Sequence, residues 1–394
     1  MKKNNLHIRR LMSLLLILII ALCPAVFPKA KEYKKTSAEI FGIASFGNCE
    51  KYPMCSLLSF FTCINSPLAG VSFTVRETSD KQLVAAPEDS LKGISGADKK
   101  ISQLTYDKLS DYKLLNPDGT KSVYSVARLD GILAGMNGKK IIILDCEENI
   151  ISDVVKAVKS AKVNDNVYIR CKTADNEILA KKTEGLSFVP YKKSNVIFSL
   201  SSELKFAEKS GCEFAQFATK NKYGVMFSSL FTKGFDKTKG LFSFADKELS
   251  AGRPDTVEGW ENIIRCGYSY IESTNAKGLC QYLEMLEESV SSLKKSIEIS
   301  EKTDIKNLEG QSAKDFKKAV EAGKEITENK KIACVSDINK INEAIMEKTE
   351  EAKTGKVSEK GVFKITLPKI LWVVFVIALF TAASVYIRKK TKKR

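Results

Sequence analysis

Between residues 38 and 285, short β-type runs alternate with amphipathic helical stretches, and no other feature constrains the fold as strongly. Strands are expected at Ile40–Ala44, Val71–Val75, Lys140–Cys146, Val167–Cys171, Leu186–Val189, Glu213–Phe217, Gly240–Ala245 and Tyr268–Glu272. Helical apolar spacing lies between most of them, as at Ile151–Ala161 and Ser201–Ser210. Strands in this number, over about 250 residues, have the size and rhythm of a TIM-type (β/α)8 barrel. A doubly wound sheet stays open on periodicity alone, because no Gly-rich phosphate loop discriminates.

From Glu284 the composition changes. Residues 284–353 lose nearly all aromatics and carry Glu, Lys, Ala and Ile at helical spacing. Three helices are expected, Leu286–Lys302, Ser312–Thr327 and Ser336–Glu351, with Ser336 as the cap of the third and Asp337 at its positive end. Residues 354–369 are expected to form a short charged tether.

Both ends of the chain read as targeting segments. Residues 1–30 resemble a signal peptide: Lys2, Lys3, Arg9 and Arg10 precede an apolar run from Leu11 to Leu22, with cleavage expected after Ala25 or Ala30. Residues 370–387 hold no charge and, as a helix, extend about 27 Å, enough to cross a hydrocarbon core. Trp372 and Tyr386 sit near its ends, and the basic tail 388–394 favours cytoplasmic retention. The expected product is a single-pass type I cell-membrane protein with its folded part outside.

The net charge of +16 is concentrated at the ends. Residues 1–30 hold +5 and residues 388–394 hold +6, which leaves 16 − 5 − 6 = +5 for the 357 residues between. That near-neutral body gives no case for a nucleic-acid partner. The single histidine, His7, lies in the expected leader, so no imidazole acid, base or ligand is expected in the mature chain. Of ten cysteines, nine remain once Cys23 leaves with the leader; a Cys49–Cys55 bridge is open, and there is no C-x-x-C pair for zinc or redox work.

The stretches FGIASFGNCEKYP, SLLSF and GVSFTVRETSDKQLVAAPEDSL resemble the start of the glycerophosphodiester phosphodiesterase family. AGRPDTVEGWENIIRCGYSYIESTNAKGLCQYLEML resembles its closing helix, last strand and exit. The resemblance implies a TIM-type barrel over residues 38–285 with its site at the C-terminal strand ends. It also shows what is missing. Ser45, Phe46 and Gly47 stand where the family has His-Arg-Gly, and Ser72 and Thr74 replace its Glu-x-Asp metal pair. Pro87, followed by Glu88, stands at the second catalytic histidine; Asp145 and Glu147 stand at Glu-x-Lys. Gly47, Arg76, Thr78, Asp80, Gly259, Trp260, Gly267 and Tyr268 remain as framework.

Hydrolysis of this type needs a divalent cation to offset phosphate charge and a general acid for the leaving alkoxide. Asp145, a possible remnant ligand, among Ser72 and Thr74 makes a poor cage for Ca2+ or Mg2+. Losing one proton donor alone costs roughly 10²–10⁴ in rate. No catalytic or cofactor-binding residue is therefore expected, and the mouth should be less polar and poor in cations. Glu77 and Asp80 sit near the family's metal position and are candidates for a relocated metal site.

Residues 286–353, through LEGQSAKDFKKAVEAGKEITENKKIACVSDINKINEAIMEKTEEA, resemble the FIVAR module, a three-helix unit of bacterial cell-surface proteins. The expected function is a membrane-anchored pseudoenzyme that works by binding. One alternative is a weak or altered glycerophosphodiester phosphodiesterase using Asp145 with Ca2+ or Mg2+. Another is an adhesin gripping wall or host polymers through the helices.

Overall fold

The structure, a computed structural model, describes residues 39–136, 138–193, 200–218, 239–246, 250, 253–329 and 331–355. It divides into two compact units. The first runs to Lys294 and includes Gly323–Asn339; the second comprises Lys295–Ala322 and the residues from Lys340 onward.

The first unit is built on a parallel sheet. Its strands are Phe41–Ser45 (β1), Gly70–Glu77 (β2), Leu83–Ala85 (β3), Ile141–Asp145 (β4), Val167–Arg170 (β5), Ser187–Phe188 (β6), Tyr191–Lys193 (β7), Phe214–Ala218 (β8), Lys239–Ser243 (β9) and Tyr268–Ser273 (β10). They follow the order β6-β5-β4-β2-β1-β10-β9-β8-β7, with β3 antiparallel to β2 off this path. The two ends of that order are one continuous run. β6 pairs with β5, and β7, two residues further on, pairs with β8. Between them, Val189 N–H donates to the Ile169 carbonyl and the Pro190 carbonyl accepts from Gln216 N–H. Pro190 has no N–H and sits where the run changes partners. An open doubly wound sheet ends in two edge strands; here the run 187–193 has a parallel neighbour on each side, and the strands curl into a TIM-type α/β fold.

Every expected strand is present within about two residues of its expected bounds. What periodicity did not mark is β7, just beyond the expected Leu186–Val189, and β3 with the irregular stretch after it, which holds short helical turns at Lys92–Ser95 and Tyr106–Ser110. Leu91, Ile94, Ile101, Leu109, Leu114 and Val126 are buried there, on pieces too short to show a period.

The helices relevant to the site are Leu57–Phe61 (α1), Leu129–Met136 (α2), Ile151–Ala161 (α3), Asn176–Lys182 (α4), Leu200–Lys209 (α5), Val257–Arg265 (α6) and Ala276–Glu301 (α7). α3 matches its expected bounds and buries Ile151, Val154, Val155 and Val158, one apolar stripe. α7 begins ten residues before the expected Leu286, because Leu279, Tyr282 and Leu283 continue the buried stripe of Leu286, Val290, Leu293 and Ile297.

Two further helices follow, Gly310–Thr327 (α8) and Val335–Thr354 (α9). Ser336 is not the cap expected of it. The helix has already begun at Val335, and the Ser336 hydroxyl instead donates to Glu261 Oε2 at 2.6 Å while its N–H donates to Glu261 Oε1 at 2.9 Å. In the second unit Leu308, Phe316 and Ala352 form a core flanked by Ile305, Ala313 and Val320. Ser312 Oγ bonds Glu351 Oε1 at 2.8 Å, and Asn307 Nδ2 bonds the Ala352 carbonyl at 2.8 Å.

No helix among the described residues is long and apolar enough to cross a membrane. The expected leader 1–30, the span 370–387 and the tail 388–394 lie outside the described residues, as does the tether beyond Gly355.

Candidate functional site

In a β-strand, alternate residues share a face. On the inward face this sheet carries an apolar layer at its N-terminal end, including Phe41, Ile43, Ile143, Tyr168, Phe214, Leu241 and Tyr270. Aromatic rings dominate it: Phe41 stacks on Tyr270 at 4.5 Å, Tyr270 meets Phe214 at 4.6 Å, and Phe214 meets Tyr168 at 4.7 Å. Two residues further along each strand the layer turns polar: Ser45 on β1, Asp145 on β4, Arg170 on β5, Gln216 on β8, Ser243 on β9 and Glu272 on β10. Register sets Thr74 beside Asp145, Asp145 beside Arg170, Ser45 beside Ser72 and Ser243 beside Glu272. This polar layer is at the C-terminal end of the strands, where TIM-type folds carry their sites.

Arg170 is its centre. Nη1 donates to Glu272 Oε2 and to Gln216 Oε1, both at 2.7 Å, and Nη2 donates to Glu272 Oε1 at 3.1 Å and reaches Asp145 Oδ2 at 3.5 Å. Ser72 Oγ completes the group by donating to Glu272 Oε1 at 2.6 Å. Arg170 and Glu272 are only 3% and 2% exposed at the side chain. Burial disfavours both charges, yet the attraction outweighs it: Arg170 facing Glu272 is held above the ordinary guanidinium range, and Glu272 facing Arg170 is held down to about 2. The pair is ionised throughout the physiological range.

A second, more open layer sits above. Lys172 Nζ lies 3.6 Å from Asp145 Oδ2 and 3.2 Å from Asp246 Oδ2, and it stands over the Tyr191 ring. Arg76, from β2, pairs with Glu147 and donates from Nη2 to the Pro87 carbonyl at 3.1 Å.

The expectation of a mouth poor in cations is overturned. Arg76, Arg170 and Lys172 all lie at the strand ends, each matched to carboxylates, so the site is polar and internally balanced. Arg170 and Glu272 were not singled out by sequence reasoning. The available signal was a charged residue two positions beyond an inward tyrosine, Tyr168 or Tyr270, at the end of an apolar strand.

The remaining expected residues are placed as follows. Ser45 is buried at the end of β1, and Phe46 continues the ladder by donating its N–H to the Ser72 carbonyl at 2.7 Å. Phe46 has φ +57°, left-handed backbone for a bulky residue. Gly47 follows at φ +75°, and a Cβ there would lie 2.4 Å from the Ser59 carbonyl oxygen, so only glycine fits. Ser72 is in the buried network, Thr74 stands beside Asp145, and Pro87 accepts from Arg76.

Glu77 and Asp80 do not join the mouth. Glu77 pairs with Lys81, and Asp80 accepts from Thr78 Oγ1 and from Tyr106 N–H, roles that tie down the β2–β3 turn. Cys49 and Cys55 are both free thiols; Cys49 Sγ lies 3.3 Å from the carbonyls of Ser45 and Phe46, and burial pushes it up to about 12. A thiol held protonated in this way is a poor nucleophile.

The divalent ion implied by the resemblance does not fit these residues. Asp145 and Glu272 are the carboxylates of the polar layer, and the Arg170 guanidinium, which stays protonated, already stands against both. Ser72 directs its hydroxyl hydrogen at Glu272. Among the described residues no three His, Cys, Asp or Glu side chains are grouped to hold a metal.

The parallel strands define a TIM-type α/β domain whose polar layer lies at the C-terminal face. Comparison with solved structures narrows the fold to that of glycerophosphodiester phosphodiesterases. A glycerophosphoryl diester phosphodiesterase from Parabacteroides distasonis superposes with a TM-score of 0.51 and 20% identity, covering 67% of this chain and 89% of its own. A glycerophosphodiester phosphodiesterase from Thermotoga maritima is similar at 19% identity and a TM-score of 0.46, covering 61% of this chain and 97% of that one. An Oleispira antarctica phosphodiesterase, solved with the product sn-glycerol-3-phosphate, is similar at 12% identity and a TM-score of 0.47, over 62% of this chain and 96% of that one. No protein-family model matches the chain, and no curated protein matches it.

Proposed function

We propose that this is a membrane-anchored cell-surface protein whose glycerophosphodiester phosphodiesterase-like barrel is catalytically degenerate and acts by binding. One observation carries the reading: at the strand ends Asp145, Glu272, Asp246 and Glu147 each already face a cation of the chain. A general acid must give up a proton near neutral pH, and a phosphate cradle needs cations without partners. The described residues contain no histidine, Glu272 is held ionised by Arg170, and the cations above are already matched to carboxylates. Residues 286–353 are taken as a FIVAR-like helical module between barrel and membrane, and wall or host surface polymers are the partners it would meet.

The likeness to solved phosphodiesterases favours one competing reading, a weak hydrolase acting through Asp145 with Ca2+ or Mg2+. The decisive measurement is release of glycerol 3-phosphate from glycerophosphocholine with either ion present. No release above the enzyme-free blank is expected. Turnover that vanishes in Asp145→Ala would sink the binding reading. For anchoring, a chain ending at Lys369 should appear in the medium; its retention at the membrane would refute the expected span.

A further inference from the structure

We propose that the Arg170 guanidinium occupies a divalent-cation position and serves as the barrel's permanent counter-ion. The mouth thus carries in its own chain a charge that an ion could otherwise supply. This stands whether or not the mouth turns over a phosphodiester.

Four oxygens surround the guanidinium from three strands: Gln216 Oε1 and Glu272 Oε2 at 2.7 Å, Glu272 Oε1 at 3.1 Å and Asp145 Oδ2 at 3.5 Å. They are two carboxylates and one amide carbonyl, the hard-oxygen set that holds Ca2+. Nη1 and Nη2 meet the two Glu272 oxygens as a fork, and Gln216 Oε1 and Asp145 Oδ2 add two further oxygens around the same charge. Arg170 Nε is buried without an acceptor, and so is Gln216 Nε2, so the guanidinium is left partly unused and the amide contributes only its oxygen.

The charge count agrees. Removing Arg170 leaves Asp145, Glu272 and Asp246 with Lys172 among them, a net −2 that a divalent ion matches. Ca2+ takes oxygens at about 2.3–2.6 Å, so the side chains would draw in by roughly an ångström around the volume the arginine vacates, with water filling the other positions. Ser72 Oγ, 2.6 Å from Glu272 Oε1, would hold that carboxylate in place.

The test uses the full chain in detergent, comparing the wild type with Arg170→Ala and Arg170→Gln by calorimetric titration and thermal unfolding in CaCl2. Both variants should gain one Ca2+ site, with a melting-temperature rise of about 5 °C or more at saturation. Adding Glu272→Gln should abolish the gain, and the wild type should not respond. The doubly neutral Arg170→Met/Glu272→Gln chain provides a folded control that must not bind. The proposal is overturned if neither single variant gains Ca2+ binding, including the case in which neither folds in CaCl2. A gain that survives Glu272→Gln, or a wild-type response that depends on Asp145, overturns it equally.

Discussion

Arg170 and Arg265 each face acidic partners, but the first does so inside the barrel and the second on the flank of the same unit. Arg265, at the end of α6, lies 3.1 Å from Asp337 Oδ2 and 3.1 Å from Glu261 Oε2, with side-chain exposures of 39% for Arg265 and 37% for Asp337. Glu261 also receives the N–H and hydroxyl of Ser336, so this cluster ties the start of α9 to α6. Trp260, on the same helix, packs on Tyr282 and donates Nε1–H to Asp255 at 2.8 Å. The chemistry of the two clusters is alike; the solvent is not. Water can replace a lost partner at Arg265 but has little access to Arg170, so the penalty for breaking the pair should differ several-fold.

The largest expected effect is therefore at the buried pair. Glu272→Ala leaves a guanidinium inside the barrel and should cost about 3–5 kcal/mol by urea denaturation. A loss below about 1 kcal/mol would mean Asp145 alone compensates Arg170, and the contrast between the clusters would collapse. Acid adds a second handle. Glu272 is held below its ordinary value of 4.5, down to about 2, so its contribution is complete above pH 4.5 and fades as pH falls through 2. Glu272→Gln should flatten that part of the stability–pH curve. An unchanged acid limb would refute the assignment.

At the flank, Glu261→Ala strands the Ser336 N–H at the first turn of α9 and should cost about 1–2 kcal/mol. Hydrogen exchange confined to residues 335–339 would sharpen the comparison, since a global change would instead implicate the barrel. The smallest effect belongs to Asp337→Asn, about 0–1 kcal/mol and shrinking as salt rises. A salt-independent loss of roughly 3 kcal/mol would erase the distinction between the two arginines.

Much of the scaffold was legible because its signals are local. Strand runs such as Ile141–Asp145 and the stripe Ile151, Val154, Val155, Val158 follow from side-chain period alone, and that is a property of neighbouring residues. The stripe Leu279, Tyr282 and Leu283 is just as local, yet it resembles the exit of the barrel in sequence while continuing α7, so the helix begins ten residues before the expected Leu286. The irregular stretch between β3 and α2 was not legible, since its buried residues come from pieces shorter than one period.

The absence of histidine from the body, the near-neutral charge between the two basic ends, and the replacement of His-Arg-Gly by Ser45, Phe46 and Gly47 were properties of the sequence by itself. Which charges meet was decided only by the tertiary structure. Arg170 and Glu272 are 102 residues apart, and Arg170 and Gln216 are 46 apart. Nothing local to either position marks its partner. They meet because parallel pairing brings each strand's last inward position to one level as the sheet curls, and at that level a charge must find its opposite or remain costly to bury.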